Sequence, residues 1–175
     1  AAADHGQLNK SAAFNSGGQG GSANDKWGDG TVSSTVFSVG GVGDSYTNGN
    51  GHEHIAYCFS KVEGYQDIGI YRGNGNTDGA YVMTGFKPAL VMIKQASGTR
   101  RWIVYDTKRN TYNQTNNELY WSLDSSENAS DSHTGIDIVS NGFRCTANNI
   151  AINGNGSLYI YLAIAEQPWS LANAR

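Results

Sequence analysis

The stretch that decides the fold is "NGNGSLYIYLAIAEQP", residues 153–168, because it has an earlier counterpart in "NGNGHEHIAYCFSKVEG", residues 48–64. Each sets two Asn-Gly steps ahead of an apolar run that closes on polar or acidic residues. Asn and Gly tolerate the positive φ of a tight hairpin turn. The runs "LYIYLAIA" and "HIAYCFSKV" have strand length and are apolar almost throughout, the pattern of strands buried on both faces. Both are therefore expected to be central, buried strands in equivalent places of two related half-structures.

The offset is 153 − 48 = 105 residues. It sets Ile55 against Ile160, Phe59 against Ile164 and Ser60 against Ala165, and with one residue of slippage Phe37 falls near Phe143. A period near 105 is the length of a small domain, not of a solenoid repeat. The expected organisation is the C-terminal half of a first repeat in residues 1–63, loop-rich over 1–30, and a complete second repeat in 64–175. On this reading the first copy comes early because its front half lies outside these residues. The absence of an initiator Met fits the same expectation of a fragment or processed piece.

Composition agrees with a β protein. The 175 residues include 23 Gly, 10 Tyr and only 2 Pro, and charged residues are 15% of the chain, well under the usual quarter. Such a profile suits short strands and tight turns better than helices. A chain of this size buries roughly two-thirds of its unfolded surface and needs no covalent staples. The net charge of −3 and pI of about 5.7 leave no basic face for a phosphate backbone, so no nucleic-acid partner is expected. "KQASGTRRW" and "DTKRN" read as solvated strand ends. No apolar run approaches the roughly 18 residues of a membrane span, and "AAADHGQLNK" lacks the basic and apolar regions of a signal peptide. Cys58 in "IAYCF" and Cys145 in "NGFRCTA" read as buried small hydrophobes, ahead of the alternatives of a disulfide or a metal site.

Between residues 64 and 168 the segments "DIGIY", "AYVMTGF", "PALVMIKQ", "RRWIVYDT", "LYWSLDSS" and "GIDIVSNGFRC" have strand character and are separated by Gly, Pro, Ser and Asn. Asn141-Gly142 predicts a type I′ hairpin. No window keeps apolar residues at helical spacing for three turns. The fold class expected is all-β, an antiparallel β-sandwich of jelly-roll or lectin-like type with the internal repeat of about 105 residues.

The string "IAYCFSKVEGYQDIGIYRGNGNTDGAYVMTGFKPALVMIKQ", followed by "WIVYDTKRNTYN", "SNGF", "YIYLAIAEQPW" and "ANAR", resembles a domain of unknown function found in virion proteins of marine bacteriophages. The resemblance runs from about residue 30 to the C-terminus. It implies a concanavalin-like sandwich, occurring in tandem near the ends of long tail-fibre or appendage proteins, or associated with the capsid. It carries no catalytic residues over. Location in the virion, with other virion proteins or copies of itself as partners, is what it leads one to expect.

The residues suggest little catalysis. "HEH", His52 to His54, puts two imidazoles on one face of a strand, but the second copy has Ser157 and Tyr159 there, so no metal is expected. "GNGNTDG", Gly73 to Gly79, alternates Asn74, Asn76 and Asp78 like a calcium loop but has one carboxylate, too few for the ion, and reads as an ordered turn. Asp106, Glu118, Asp124, Glu127 and Asp137 show no spacing that selects a glycosidase pair, and there is no nucleophile elbow. No enzyme activity and no cofactor are expected. Aromatic rings interleaved with amides are a better lead, since rings stack on sugars and amides bind hydroxyls. The densest mixture offers Trp102, Tyr105, Asp106, Arg109, Asn110, Tyr112 and Asn113 as a glycan-binding set facing a host cell-surface polysaccharide. The competing reading pairs Asp106 with Arg109 and uses Tyr112 in packing. A carbohydrate-binding adhesin module of a secreted or surface protein is the alternative to a phage structural module.

Overall fold

In a computed structural model the described residues are 6–14, 33, 35–39, 47–128 and 135–167. The chain forms two compact units, one of Ala1–Gly6 with Phe14–Phe59 and one of Gln7–Ala13 with Ser60–Arg175. Trp27, Trp169 and the residues from Pro168 onward, which entered the sequence reading, lie outside the described residues.

All the regular structure described is β, and it lies in the second unit. The strands are β1 (Gln66–Arg72), β2 (Tyr81–Met83), β3 (Pro88–Gln95), β4 (Trp102–Asp106), β5 (Leu119–Tyr120), β6 (Ile136–Val139), β7 (Gly142–Cys145) and β8 (Leu158–Ala165). They make a five-stranded sheet in the order β1-β8-β3-β4-β5 and a three-stranded sheet in the order β2-β7-β6. Every pairing is antiparallel.

β8 lies between β1 and β3, with Ile160 opposite both Ile70 and Lys94. Its near-continuous apolar sequence follows from that position. Tyr159, Tyr161, Ala163 and Ala165 are buried on one face, while Leu158, Ile160, Leu162 and Ile164 are half-buried on the other. Tyr71 of β1 stacks on Tyr159, with centroids 4.9 Å apart. Phe143 of β7 meets Tyr71 and Tyr161 edge-on at 6.1 and 5.6 Å. The facing side chains of the two sheets thus share one core, and edge-to-face geometry suits the quadrupoles of the rings. Cys145 lies in that core, and burial pushes its thiol up to about 12, so it behaves as a hydrophobe.

The earlier copy departs from expectation. The turn is repeated: Gly49 accepts a hydrogen bond from the His52 amide at 3.2 Å and Gly154 one from the Ser157 amide at 3.0 Å, with Gly51 and Gly156 at φ 76° and 69°. The run that follows is not. Ile55, Tyr57 and Phe59 are 80, 81 and 64% exposed, and residues 52–59 belong to no strand. A strand is buried by the strands beside it. β8 has β1 and β3, whereas among the described residues 54–59 has no strand neighbour.

The β6–β7 hairpin also turns one residue earlier than Asn141-Gly142 suggests. Ser140 and Asn141 connect the strands, and Gly142 pairs with Val139 and Met83. Glycine is needed there for space: a Cβ would stand 2.1 Å from the Val82 carbonyl oxygen.

The "GNGNTDG" loop is ordered by one buried side chain. Asn153 is fully buried. Its Oδ1 accepts the amides of Asn74 at 3.0 Å and Ala80 at 3.4 Å. Its Nδ2 donates to Asn74 Oδ1 at 2.9 Å, the Asn76 carbonyl at 2.8 Å and the Ala147 carbonyl at 3.0 Å. Gly79 fits because a Cβ would lie 2.3 Å from the Cys145 carbonyl oxygen. Removing this amide strands buried donors and acceptors, each worth about 1–3 kcal/mol. Asn153→Ala should lower unfolding free energy by about 3 kcal/mol in urea titration; a loss under 1 kcal/mol would mean the loop is held by its backbone alone.

Candidate functional site

The connection after β4 is built around Asp106. Its Oδ1 accepts the amides of Lys108 and Arg109, both at 2.9 Å, the local closure that Asp favours in turns. Its Oδ2 receives Arg109 Nε at 2.5 Å. The guanidinium then reaches the Asn117 carbonyl at 2.9 Å, the Val104 carbonyl at 3.0 Å and Glu127 Oε2 at 3.1 Å. Partial burial pushes the Asp106 carboxyl up, but the hydrogen bonds from Arg109 and Lys108 and the guanidinium charge outweigh it and hold the carboxyl below its ordinary value. Asn110 Oδ1 accepts the Asn117 amide at 2.7 Å. Asn113 clasps β6, donating to the Ile138 carbonyl and accepting its amide, both at 2.9 Å. Gln114 Nε2 bonds Thr146 Oγ1.

With its flanks held this way, the loop raises Tyr112 into solvent, 85% exposed. Beside it opens a shallow cleft of about 380 Å³, lined by Lys108, Asn110, Tyr112, Asn113, Lys87 and Glu166 among others. Lys87 and Glu166 form a 2.7 Å ion pair at its edge. This pair joins the residue just before β3 to the residue just after β8, and no local spacing in the sequence reveals it.

Of the seven residues expected to bind glycan, three line this cleft: Asn110, Tyr112 and Asn113. Asp106 and Arg109 spend their polar atoms bracing the loop. Trp102 is buried, its Nε1 donating to the Gln7 carbonyl at 2.9 Å. Tyr105 is fully buried and donates to Glu118 Oε1 at 2.8 Å. The strand β4 turns both rings away from solvent, so the set divides into core, brace and rim.

Glu118 anchors a second group that spacing did not reveal. It is buried, and its other oxygen accepts the Tyr120 hydroxyl at 2.7 Å, which in turn accepts Asn128 Nδ2 at 3.1 Å. Burial, then the Glu118 charge, raises the Tyr105 hydroxyl far above its ordinary value, and burial raises Tyr120 as well. Both phenols therefore stay protonated as donors. Arg101 lies over the Tyr120 ring, 4.5 Å from its centroid, within cation–π range. Here a second cleft of about 420 Å³ is lined by Arg100, Arg101, Thr99, Ser11, Asn149 and Glu118 among others. The alternation in "ELY" was the available sign of the buried Glu118. Its meaning depended on Tyr105, thirteen residues earlier.

The Asp106 brace is titratable. Its folded value lies below the unfolded one, so its contribution is complete above the unfolded value and is lost as pH falls through the folded one. The amides of residues 107–112 should therefore gain picosecond–nanosecond motion in NMR relaxation only once pH falls below the ordinary carboxylate range, while those of β8 remain rigid. Asp106→Ala should show the same motion at neutral pH. An equally rigid loop in that variant would assign the bracing to Asn113 instead.

No curated protein and no solved structure matches the chain. A family model matches residues 2–168, nearly the whole sequence and both of its compact units. The chain accordingly belongs to the family described as a domain of unknown function, DUF7483.

Proposed function

We propose that this domain is a non-catalytic structural module of a bacteriophage virion that also touches a host-surface polysaccharide through the 106–114 loop. The virion location, on a tail fibre, appendage or capsid, rests on the sequence resemblance. The two antiparallel sheets with a shared core support reading the fold as a jelly-roll or lectin-like sandwich. The surface contact rests on one observation: a loop braced from both sides holds an aromatic ring almost fully in water beside amides and cations. An exposed ring on an ordered loop is available for stacking at little entropic cost, and Asn110, Lys108 and Lys87 supply donors for hydroxyl or carboxylate groups. The cleft is open and shallow, which suits weak single-site binding multiplied by many copies on one particle. The same observation favours the adhesin of a secreted or surface protein, which differs in location and not in chemistry.

Tyr112→Ala tests the contact. Multivalent display of the domain on beads should bind host-cell polysaccharide, and the variant should reduce single-site affinity on the order of tenfold. Because the ring is exposed, unfolding free energy should change by less than about 0.5 kcal/mol. Unchanged polysaccharide binding, or loss of stability in its place, would make Tyr112 a structural residue.

A further inference from the structure

The exposed run after the first turn has the sequence of a strand, and among the described residues no strand lies beside the outer edge of β1. In an antiparallel pair alternate residues direct their amide and carbonyl to opposite sides. Gln66 exchanges both backbone hydrogen bonds with Val62, each at 2.9 Å, on the side away from β8. Ile68, Ile70 and Arg72 share its parity, so their backbone groups also point to that open side. Five of the seven residues of β1 extend beyond the Gln66–Asp67 start of the hairpin, whereas the other outermost strands, β5, β2 and β6, are two, three and four residues long. Ile70 is 67% exposed and Ile68 is partly exposed on the same face. Long apolar edges of this kind are templates for another chain.

We propose that residues 53–57 of one copy add as a strand to the open edge of β1 in a second copy, and that the exchange is mutual. The register has Glu53 opposite Arg72, Ile55 opposite Ile70 and Tyr57 opposite Ile68. Two independent observations give it. Charge and shape give it first: an acid meets a base, and two large apolar side chains meet two isoleucines on one face, the favourable cross-strand pairs. Ala56 then falls opposite Gly69, where the Tyr161 hydroxyl leaves no room for bulk. The 105-residue equivalence gives it again. Ile55 corresponds to Ile160 and Tyr57 to Leu162, and these are the residues that β8 sets opposite Ile70 and Ile68.

The register also selects a second copy over the chain's own β1. The hairpin begun at Val62 and Gln66 would, if it continued, place Ala56 opposite Arg72 and Cys58 opposite Ile70. Tyr57 and Phe59 would then face the side of Asp67 and Tyr71, which is the filled core face. The three-residue shift that joins Glu53 to Arg72 is closed to that hairpin and open to a strand from another molecule. Each chain carries both the donor and the acceptor, so two copies satisfy one another and the assembly closes, as isologous contacts do. The inference does not depend on Tyr112 or on any glycan.

Size-exclusion chromatography with light scattering on the 175-residue chain, in reductant to keep Cys58 free, provides the test. A species of twice 18.7 kDa is expected. Tyr57→Pro, which removes the amide donated to Ile68, should convert it to monomer without changing the circular dichroism of the fold. Glu53→Arg and Arg72→Glu should each weaken the dimer on the order of tenfold, and the double variant should recover it. A monomer at all concentrations, a dimer indifferent to Tyr57→Pro, or a charge swap that fails to rescue would each overturn the proposal.

Discussion

The side-chain amide of Asn153 is the constraint on which the rest of the second unit depends. A primary amide offers two donors and one two-fold acceptor, and here they are spent on three separated segments: 74–76, Ala80 and Ala147. The loop after β1 is thereby tied to the approach to β8 and to the segment after β7. That segment directly follows a strand of the other sheet, so one buried group ties the two sheets together at this end. Gly73 makes the same junction possible, since a Cβ there would lie 2.4 Å from the Gly154 carbonyl oxygen.

Tyrosine extends the same solution through the core. Tyr71 donates to the Ile152 carbonyl and Tyr159 to the Ile150 carbonyl, each at 2.6 Å. Tyr161 donates to Asp67 at 2.6 Å, and Lys61 stands 2.8 Å from the other oxygen of that carboxylate. Each ring contributes apolar area and each hydroxyl satisfies a carbonyl or carboxylate acceptor, so the interior joins loops to strands with few charges. This accounts for a chain rich in Tyr, Asn and Gly and poor in Lys and Glu. Besides the Asp67 and Glu118 carboxylates, Lys94 is a buried charged side chain. It is buried at the end of β3 with its ammonium on the carbonyls of Gln95 and Gly98, and burial lowers its value to about 8.

What the sequence disclosed follows from how local each signal was. Turn chemistry and apolar runs located the strands of 64–165, and the unbroken run "LYIYLAIA" marked an interior strand of the larger sheet, because a strand flanked on both sides leaves its mark within its own residues. The same logic misplaced "IAYCF". Its apolarity is a property of the segment, whereas burial requires neighbours that the segment does not encode. The candidate site was partly legible. "YDTKRNTYN" contains both the brace and the exposed Tyr112, and the i to i+3 spacing of Asp106 and Arg109 was visible. The side chains removed to the interior were not, since Trp102 and Tyr105 are assigned to two opposite faces of β4 by partners at Gln7 and Glu118. Lys87 and Glu166 meet only because β3 pairs with β8.

Native-state hydrogen exchange tests most directly whether a buried amide, and not the loop's own backbone, fastens the two sheets together. The amides of Asn74 and Ala80, which end on Asn153, should exchange only through global unfolding, with the same opening free energy as those of Tyr159 and Tyr161 in β8. Exchange at Asn74 and Ala80 as fast as at the exposed residues 54–59 would contradict the account, because the loop would then open freely while the core stayed closed.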